Sequence, residues 1–297
     1  MNIQHAIHIF GEVLFDHFPE GSRVLGGAPF NVAWHLQAFG LAPNFISRIG
    51  DDPSGEEISA LMADWGMCRK GIQIDNEHPT GSVNVTLQKG EPCYEIVPDS
   101  AYDFIDSDLL HPEASHGILY HGSLALRNLN SLNALQTVKI KHRGKIFMDV
   151  NLRSPWWDEQ MLSELLSDAH WVKLNQVELA ILSPNQPDLA SAMRHFYSQF
   201  NLETLVVTCG EQGVFALDEH QQFVNIQPSR QVPVVDTVGA GDAFAAILLL
   251  GLTQNWPLEV SLEKAQTFAS AIVGCRGATV TERAFYQNFS EQWGLVR

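Results

Sequence analysis

The chain has 297 residues, room for one large domain or two small ones, with 45% apolar and 18% charged residues. These proportions match globular averages and exclude a disordered or low-complexity chain. Lys plus Arg number 18 against 34 for Asp plus Glu, a formal net charge of -16. That balance excludes a nucleic-acid partner, because such surfaces are built from clustered Lys and Arg.

The chain reaches the strand-like HAIHIF at residue 5 without a basic, apolar and small-residue leader, so a cytoplasmic location is expected. Gly11, Glu12 and Asp16 follow this strand, and carboxylates at such a place suit paired hydrogen bonds to sugar hydroxyls. Next comes GGAPFNVA, Gly26 to Ala33, a diglycine leading into a helix that Pro29 opens and Gly40 closes. The glycines permit close backbone approach to a ligand, and Asn31 carries an amide on the first turn. A strand at NFISRIG precedes a helix with a capping-box pattern at Ser54 and Glu57, closed by Gly66.

From Thr80 to Val97 the pattern changes to alternation, with Val83, Val85 and Leu87 on one face and Ser82, Asn84 and Thr86 on the other. This predicts a hairpin in a small sheet outside the main one, serving as a lid or a dimer contact. The βα rhythm then resumes with GILYH, KIFMDV, WVKL and TLVVT, the pattern of a largely parallel sheet covered on both faces. The longest apolar run, the ten residues from Ala243 to Leu252, is about half a membrane span and predicts a buried helix, so no membrane partner is expected. Cys68, Cys93, Cys209 and Cys275 form no CxxC pair and are expected to be reduced and mostly buried.

The segment DTVGAGDAF, Asp236 to Phe244, carries the most chemistry. Gly239 and Gly241 around Ala240 let backbone N–H groups converge at a helix N-terminus, where an anion is favoured. Asp242 is then a carboxylate in an anion site, which suits a base that takes a proton from a hydroxyl attacking a held phosphoryl group. The alternative is a Gly-rich turn in which Asp242 only caps the helix. Rival phosphate motifs are absent: Gly144-Lys145 lacks the upstream glycine of a Walker loop, and the third glycine of a dinucleotide fingerprint is missing.

GGAPFNVA and DTVGAGD together resemble the paired signatures of the ribokinase-like (PfkB) carbohydrate kinases, over essentially the whole chain. GEVLFD, TGSVNVTL, EPCYEI, AYD and DVNLRSPWW make it most similar to the bacterial fructokinases of that family. The resemblance implies a single domain over 1–297 with a three-layer α/β/α core and mostly parallel sheet. A β lid would come from about 12–26 and 78–104. It implies transfer of a phosphoryl group from ATP, with Mg²⁺, to a sugar hydroxyl. Asp242 would be the base, the N–H groups of Gly239, Ala240 and Gly241 the anion hole, and Arg153 a cation near the phosphate.

Asp16, Gly26, Gly27, Asn31, Tyr94, Tyr102 and Asn151 would bind the sugar. Asn175, Thr208, Gly210, Gly213 and Thr237 would bind the nucleotide, and Glu178 would hold Mg²⁺ through water. Asp236 and Val238 would serve a K⁺ ion together with the 273–277 loop. Fructose is the expected substrate, with 2-keto-3-deoxygluconate, ribose or a nucleoside as rivals; for a nucleoside, Phe15, Phe30 and Tyr94 would stack. A catalytically silent binding protein is the rival of a different class. The lid's apolar face leads to the expectation of a homodimer.

Overall fold

A computed structural model describes residues 7–88, 91–110, 116–228 and 233–295. The chain opens with β1 (Ile7–Phe10), β2 (Leu14–His17), β3 (Arg23–Gly26), α1 (Ala28–Ala38), β4 (Asn44–Gly50), α2 (Pro53–Trp65) and β5 (Ile72–Asp75). After the β6 (Gly81–Gln88) and β7 (Glu91–Ile96) hairpin come β8 (Ile118–His121), α3 (Leu129–Lys141), β9 (Lys145–Asp149) and α4 (Glu159–Ser167). The rest comprises β10 (Trp171–Asn175), α5 (Gln176–Leu182), α6 (Leu189–Gln199), β11 (Thr204–Thr208), β12 (Val214–Leu217) and β13 (Phe223–Ile226). Helices α7 (Ala240–Gln254), α8 (Leu258–Val273) and α9 (Arg283–Gln292) close it.

Nine strands form one sheet in the order β13-β12-β11-β10-β9-β8-β1-β4-β5. All neighbours are parallel except the β11-β12 and β12-β13 pairs. Alternate side chains feed two cores. Ile9, Tyr120 and Phe147 pack with α1, α7 and α8 on one face, while Phe10, Leu119 and Met148 pack with α3, α4 and α6 on the other. Burial on both faces explains why these strands read as apolar runs. The result is the three-layer α/β/α architecture.

The strand order changes direction at β1, which has β4 on one side and β8 on the other. A crevice at the C-terminal ends of the strands is where such sheets bind ligands. There the chain leaves β1 to build a second sheet, ordered β3-β2-β6-β7. Register puts Leu14, Asp16, Val83, Val85 and Tyr94 on one of its faces.

Three sequence expectations change. Helix α2 is capped by Asp52, whose carboxylate accepts from the Gly55 N–H at 2.8 Å; Pro53 takes the first helical position, so Ser54 falls inside the helix. Ser54 and Glu57 instead both receive Arg23 of β3. Of the four cysteines only Cys209 is buried, because Cys68, Cys93 and Cys275 fall on turns or strand edges. The apolar face of the small sheet is covered by the chain's own Tyr102, Leu124 and Ala125, which removes the reason given for a second copy there. Lys89 and Gly90 of the hairpin turn lie outside the described residues.

Candidate active site

Gly239 precedes α7 with φ +77, and a Cβ there would stand 2.3 Å from Ala278, so only glycine makes this turn. No side chain caps α7, and its first backbone bond returns from the Ala243 N–H to the Gly239 carbonyl at 2.8 Å. Of the earlier N–H groups, that of Ala240 makes a long bond to the Thr237 carbonyl at 3.4 Å, and those of Gly239 and Gly241 are left for an anion.

Helix α1 brings a second N-terminus to the same place. Gly27, with φ +105, packs where a Cβ would lie 2.6 Å from the Glu12 carbonyl, and a Cβ on Gly26 would lie 3.3 Å from Asp16 Oδ2. One turn later Asn31, 3% exposed, donates through Nδ2 to Asp242 Oδ2 at 2.8 Å. Its Oδ1 is buried without a partner. An acceptor left bare in this way suits a hydroxyl donor arriving with a ligand.

The site is rich in carboxylates. Burial, with the neighbouring Asp149 charge adding to it, pushes Asp242 up to about 6 against the pull of Asn31, Lys173 and Arg153. Burial likewise raises Asp16 to about 6 and Glu12, 2% exposed, to about 7. Glu12 Oε2 has no partner. The exposed Arg153 guanidinium acts on Glu12, Asp16, Asp242 and Tyr94, which gathers residues from the small sheet, the loop after β1 and helix α7 around one opening.

The other expected residues divide. Tyr94 is half exposed on β7 and faces Asp16 and Asp236. Tyr102 is fully buried, and its OH accepts from Arg127 at 3.1 Å, so it braces the small sheet rather than lining the opening. Asn151, with φ +43, turns the chain after β9, its carbonyl accepting from Ser123. Trp156 and Trp157 pack, Trp156 beneath the Arg127 guanidinium at 4.4 Å.

Asn175 and Glu178 form a reciprocal capping box at the start of α5. Glu178 Oε2 accepts from Asn175 N at 2.8 Å and Oε1 from Leu152 N at 2.8 Å. The box therefore fastens the Arg153 loop to the end of β10. Thr208, Gly210 and Gly213 follow at the end of β11, where Gly213 has φ +83 and no room for a Cβ beside the Ile226 carbonyl. Asp236 accepts from Val238 N at 3.0 Å and Gly277 N at 3.1 Å, joining the turn before α7 to the 273–277 loop. Thr237 lies exposed between them.

One feature was not anticipated from sequence. Lys173, in the middle of β10, donates from Nζ to Asp149 Oδ1 at 2.9 Å and Oδ2 at 2.8 Å, and Tyr120 OH adds a bond to Oδ2 at 3.3 Å. Lys173 is 6% exposed, and a Cβ on Gly241 would stand 3.3 Å from its Nζ. The signal was a lone lysine inside an apolar central strand, which demands a buried anion as partner.

A fold of this kind, with a glycine turn at one helix N-terminus and a buried carboxylate beside it, suits an enzyme that transfers a group to a hydroxyl. The pfkB family carbohydrate kinase model matches residues 5–284, and the chain belongs to that family. It is 33% identical to the fructokinase of Klebsiella pneumoniae, over 92% of this chain and 94% of that protein. To the fructokinase of Salmonella typhimurium it is 30% identical, over 97% and 99%. A solved structure of a sugar kinase from Pyrococcus horikoshii in complex with ATP superposes with TM-score 0.77 at 26% identity, covering 98% of this chain and 100% of that one. The protein is a carbohydrate kinase.

Proposed function

We propose that the protein is an ATP-dependent fructokinase that makes fructose 6-phosphate. The observation that carries this reading is Asp242, set in the first turn of α7 beside the Gly239 and Gly241 N–H groups, which no side chain caps, and anchored to Asn31. The fructokinase relatives at 30% identity and above support the sugar, and the ATP complex of the Pyrococcus kinase supports the nucleotide.

In this reading fructose lies between the small sheet and the ends of the main strands, under β2 and β6 acting as a lid. Glu12, Asp16 and Asn31 hold its hydroxyls, with Gly26 and Gly27 giving close approach. Asp242 takes the proton of the attacking hydroxyl, whose oxygen bonds to the γ-phosphorus as the bond to ADP breaks. The N–H groups of Gly239, Ala240 and Gly241 and the Arg153 guanidinium stabilise the phosphoryl charge. ATP would lie along Asn175, Thr208, Gly210, Gly213 and Thr237.

Mg²⁺ would neutralise charge on the phosphates. Glu178 fits a place in its hydration shell, since each carboxylate oxygen already accepts a backbone N–H and would reach the ion through water. A K⁺ ion fits near Asp236, which draws together the two segments whose carbonyls, Val238 included, would ligate it. The cluster of Glu12, Asp16 and Asp242 against one exposed guanidinium favours a neutral sugar over a sugar acid. A homodimer through the small sheet remains part of the proposal, now through its open edges β3 and β7, since unpaired strand edges pair readily. Light scattering at twice 33.0 kDa would support it, and the mass of one chain would remove it.

Asp242→Asn tests the chemistry. It is expected to bind ADP and fructose like the wild type and to lose about 10²- to 10⁴-fold in kcat. Near-normal turnover would remove Asp242 from the role of base.

A further inference from the structure

We propose that Lys173, held by Asp149, is a positioning residue for phosphoryl transfer, its buried ammonium supplying fixed positive charge behind the anion turn of α7 and beside Asp242. This rests on the kinase reading above.

The placement is specific. Lys173 and Asp149 stand opposite each other in the β9-β10 register, at the end of the sheet where the crevice opens. Both Asp149 oxygens hold Nζ, and Tyr120 from β8 steadies the carboxylate from the other side. Beyond Nζ lies Gly241, whose missing side chain lets the ammonium approach the turn: a Cβ there would be only 3.3 Å from it. Asp242 and Glu178 are the other anions that feel this charge.

Stability alone does not account for the pair. A buried ion pair is often replaced by apolar residues of similar volume without loss, so its presence in an apolar strand calls for another role. Burial disfavours the ammonium, but Asp149, with Asp242 and Glu178 adding to it, more than offsets that and keeps Lys173 protonated. A cation already fixed before the reaction stabilises developing phosphoryl charge without reorganisation, and a dry site makes that effect large. Gly241 then has two duties, an N–H toward the anion and an open side toward Lys173.

The test compares wild type with Lys173→Met, Asp149→Asn and the double variant Lys173→Met/Asp149→Asn, using ADP release with MgATP and fructose alongside thermal unfolding. The double variant leaves no unpaired buried charge, and so keeps the test decisive where Lys173→Met alone unfolds. It is expected to melt within a few degrees of wild type and keep its KM for fructose within about threefold. Its kcat is expected to fall on the order of 10²-fold.

The acidic limb of kcat/KM supplies a readout that simple bracing would not move. Lys173 pulls Asp242 down and Asp149 pushes it up, while the other charged or titratable groups around it, Glu12, Arg153 and Tyr120, stay in place. The limb is therefore expected to shift to higher pH in Lys173→Met and to lower pH in Asp149→Asn. A double variant with kcat within threefold of wild type, or limbs that stay put or move together, would overturn the proposal. Wild-type protein that releases no ADP with any sugar would instead overturn the kinase reading on which it rests.

Discussion

At the scale of single residues, the carboxylates of the crevice govern behaviour with pH. In its proposed role as base Asp242 must be ionised, and burial raises it to about 6. kcat/KM is therefore expected to climb as pH rises through about 6 and to level above 7, as a pH–rate profile would show; a limb near 4 would mean the carboxylate is far better solvated. Glu12 gives the matching statement about stability. Burial raises it from 4.5 to about 7, so the ionised form is the costly one in the fold. Its favourable contribution is complete below about pH 4.5 and is lost as pH passes 7, a difference on the order of 3 kcal/mol at pH 8. Glu12→Gln is expected to raise Tm at pH 8 and flatten the rise in Tm between pH 8 and 5; an unchanged slope would assign that rise to other groups. Asp242 and Asn31 were legible in sequence because their glycines mark the turns that hold them. Lys173 was not, since its partner Asp149 lies 24 positions away and only strand register brings them together.

Among elements, the joints between the small sheet and the core matter most. Arg127 sits just before α3 and clamps the segment after β7. It donates to Asp103 Oδ1 and Oδ2 at 2.7 Å each, to the Val97 carbonyl at 2.8 Å and to the Tyr102 hydroxyl, and it stacks on Trp156. Both partners of this ion pair are nearly out of solvent, 6% and 2% exposed at the side chain. Arg127→Met leaves Asp103 buried and uncompensated, and denaturant unfolding is expected to show a loss of about 3–5 kcal/mol; a loss below about 1 kcal/mol would show the clamp is idle. Asp52 is the second joint. It caps α2 and also takes the Thr80 N–H at 2.7 Å and hydroxyl at 2.8 Å, fixing the entry to β6. The hairpin itself was legible, because alternation of Val83 and Val85 with Asn84 and Thr86 survives as burial and exposure. Asp52 was hidden behind Pro53, and Arg127 looked like any loop arginine until long-range packing supplied its partners.

For the molecule as a whole, the main sheet was legible because apolar runs separated by helical periods admit few arrangements other than βα units. Which face the small sheet covers was not, since an apolar stripe says only that something covers it, and here the chain covers its own. Among the described residues no helix is long and apolar enough to cross a membrane. The reversal of strand order at β1 brings two helix N-termini, three carboxylates and one exposed guanidinium to the same opening, and the proposed catalytic site depends on that convergence. The most direct measurement is ADP release with MgATP across fructose, ribose, 2-keto-3-deoxygluconate, glucose and adenosine, with Asp242→Asn as the blank. Strong turnover on fructose that vanishes in the blank is expected. Turnover on another acceptor alone, or on none, would overturn the fructokinase assignment.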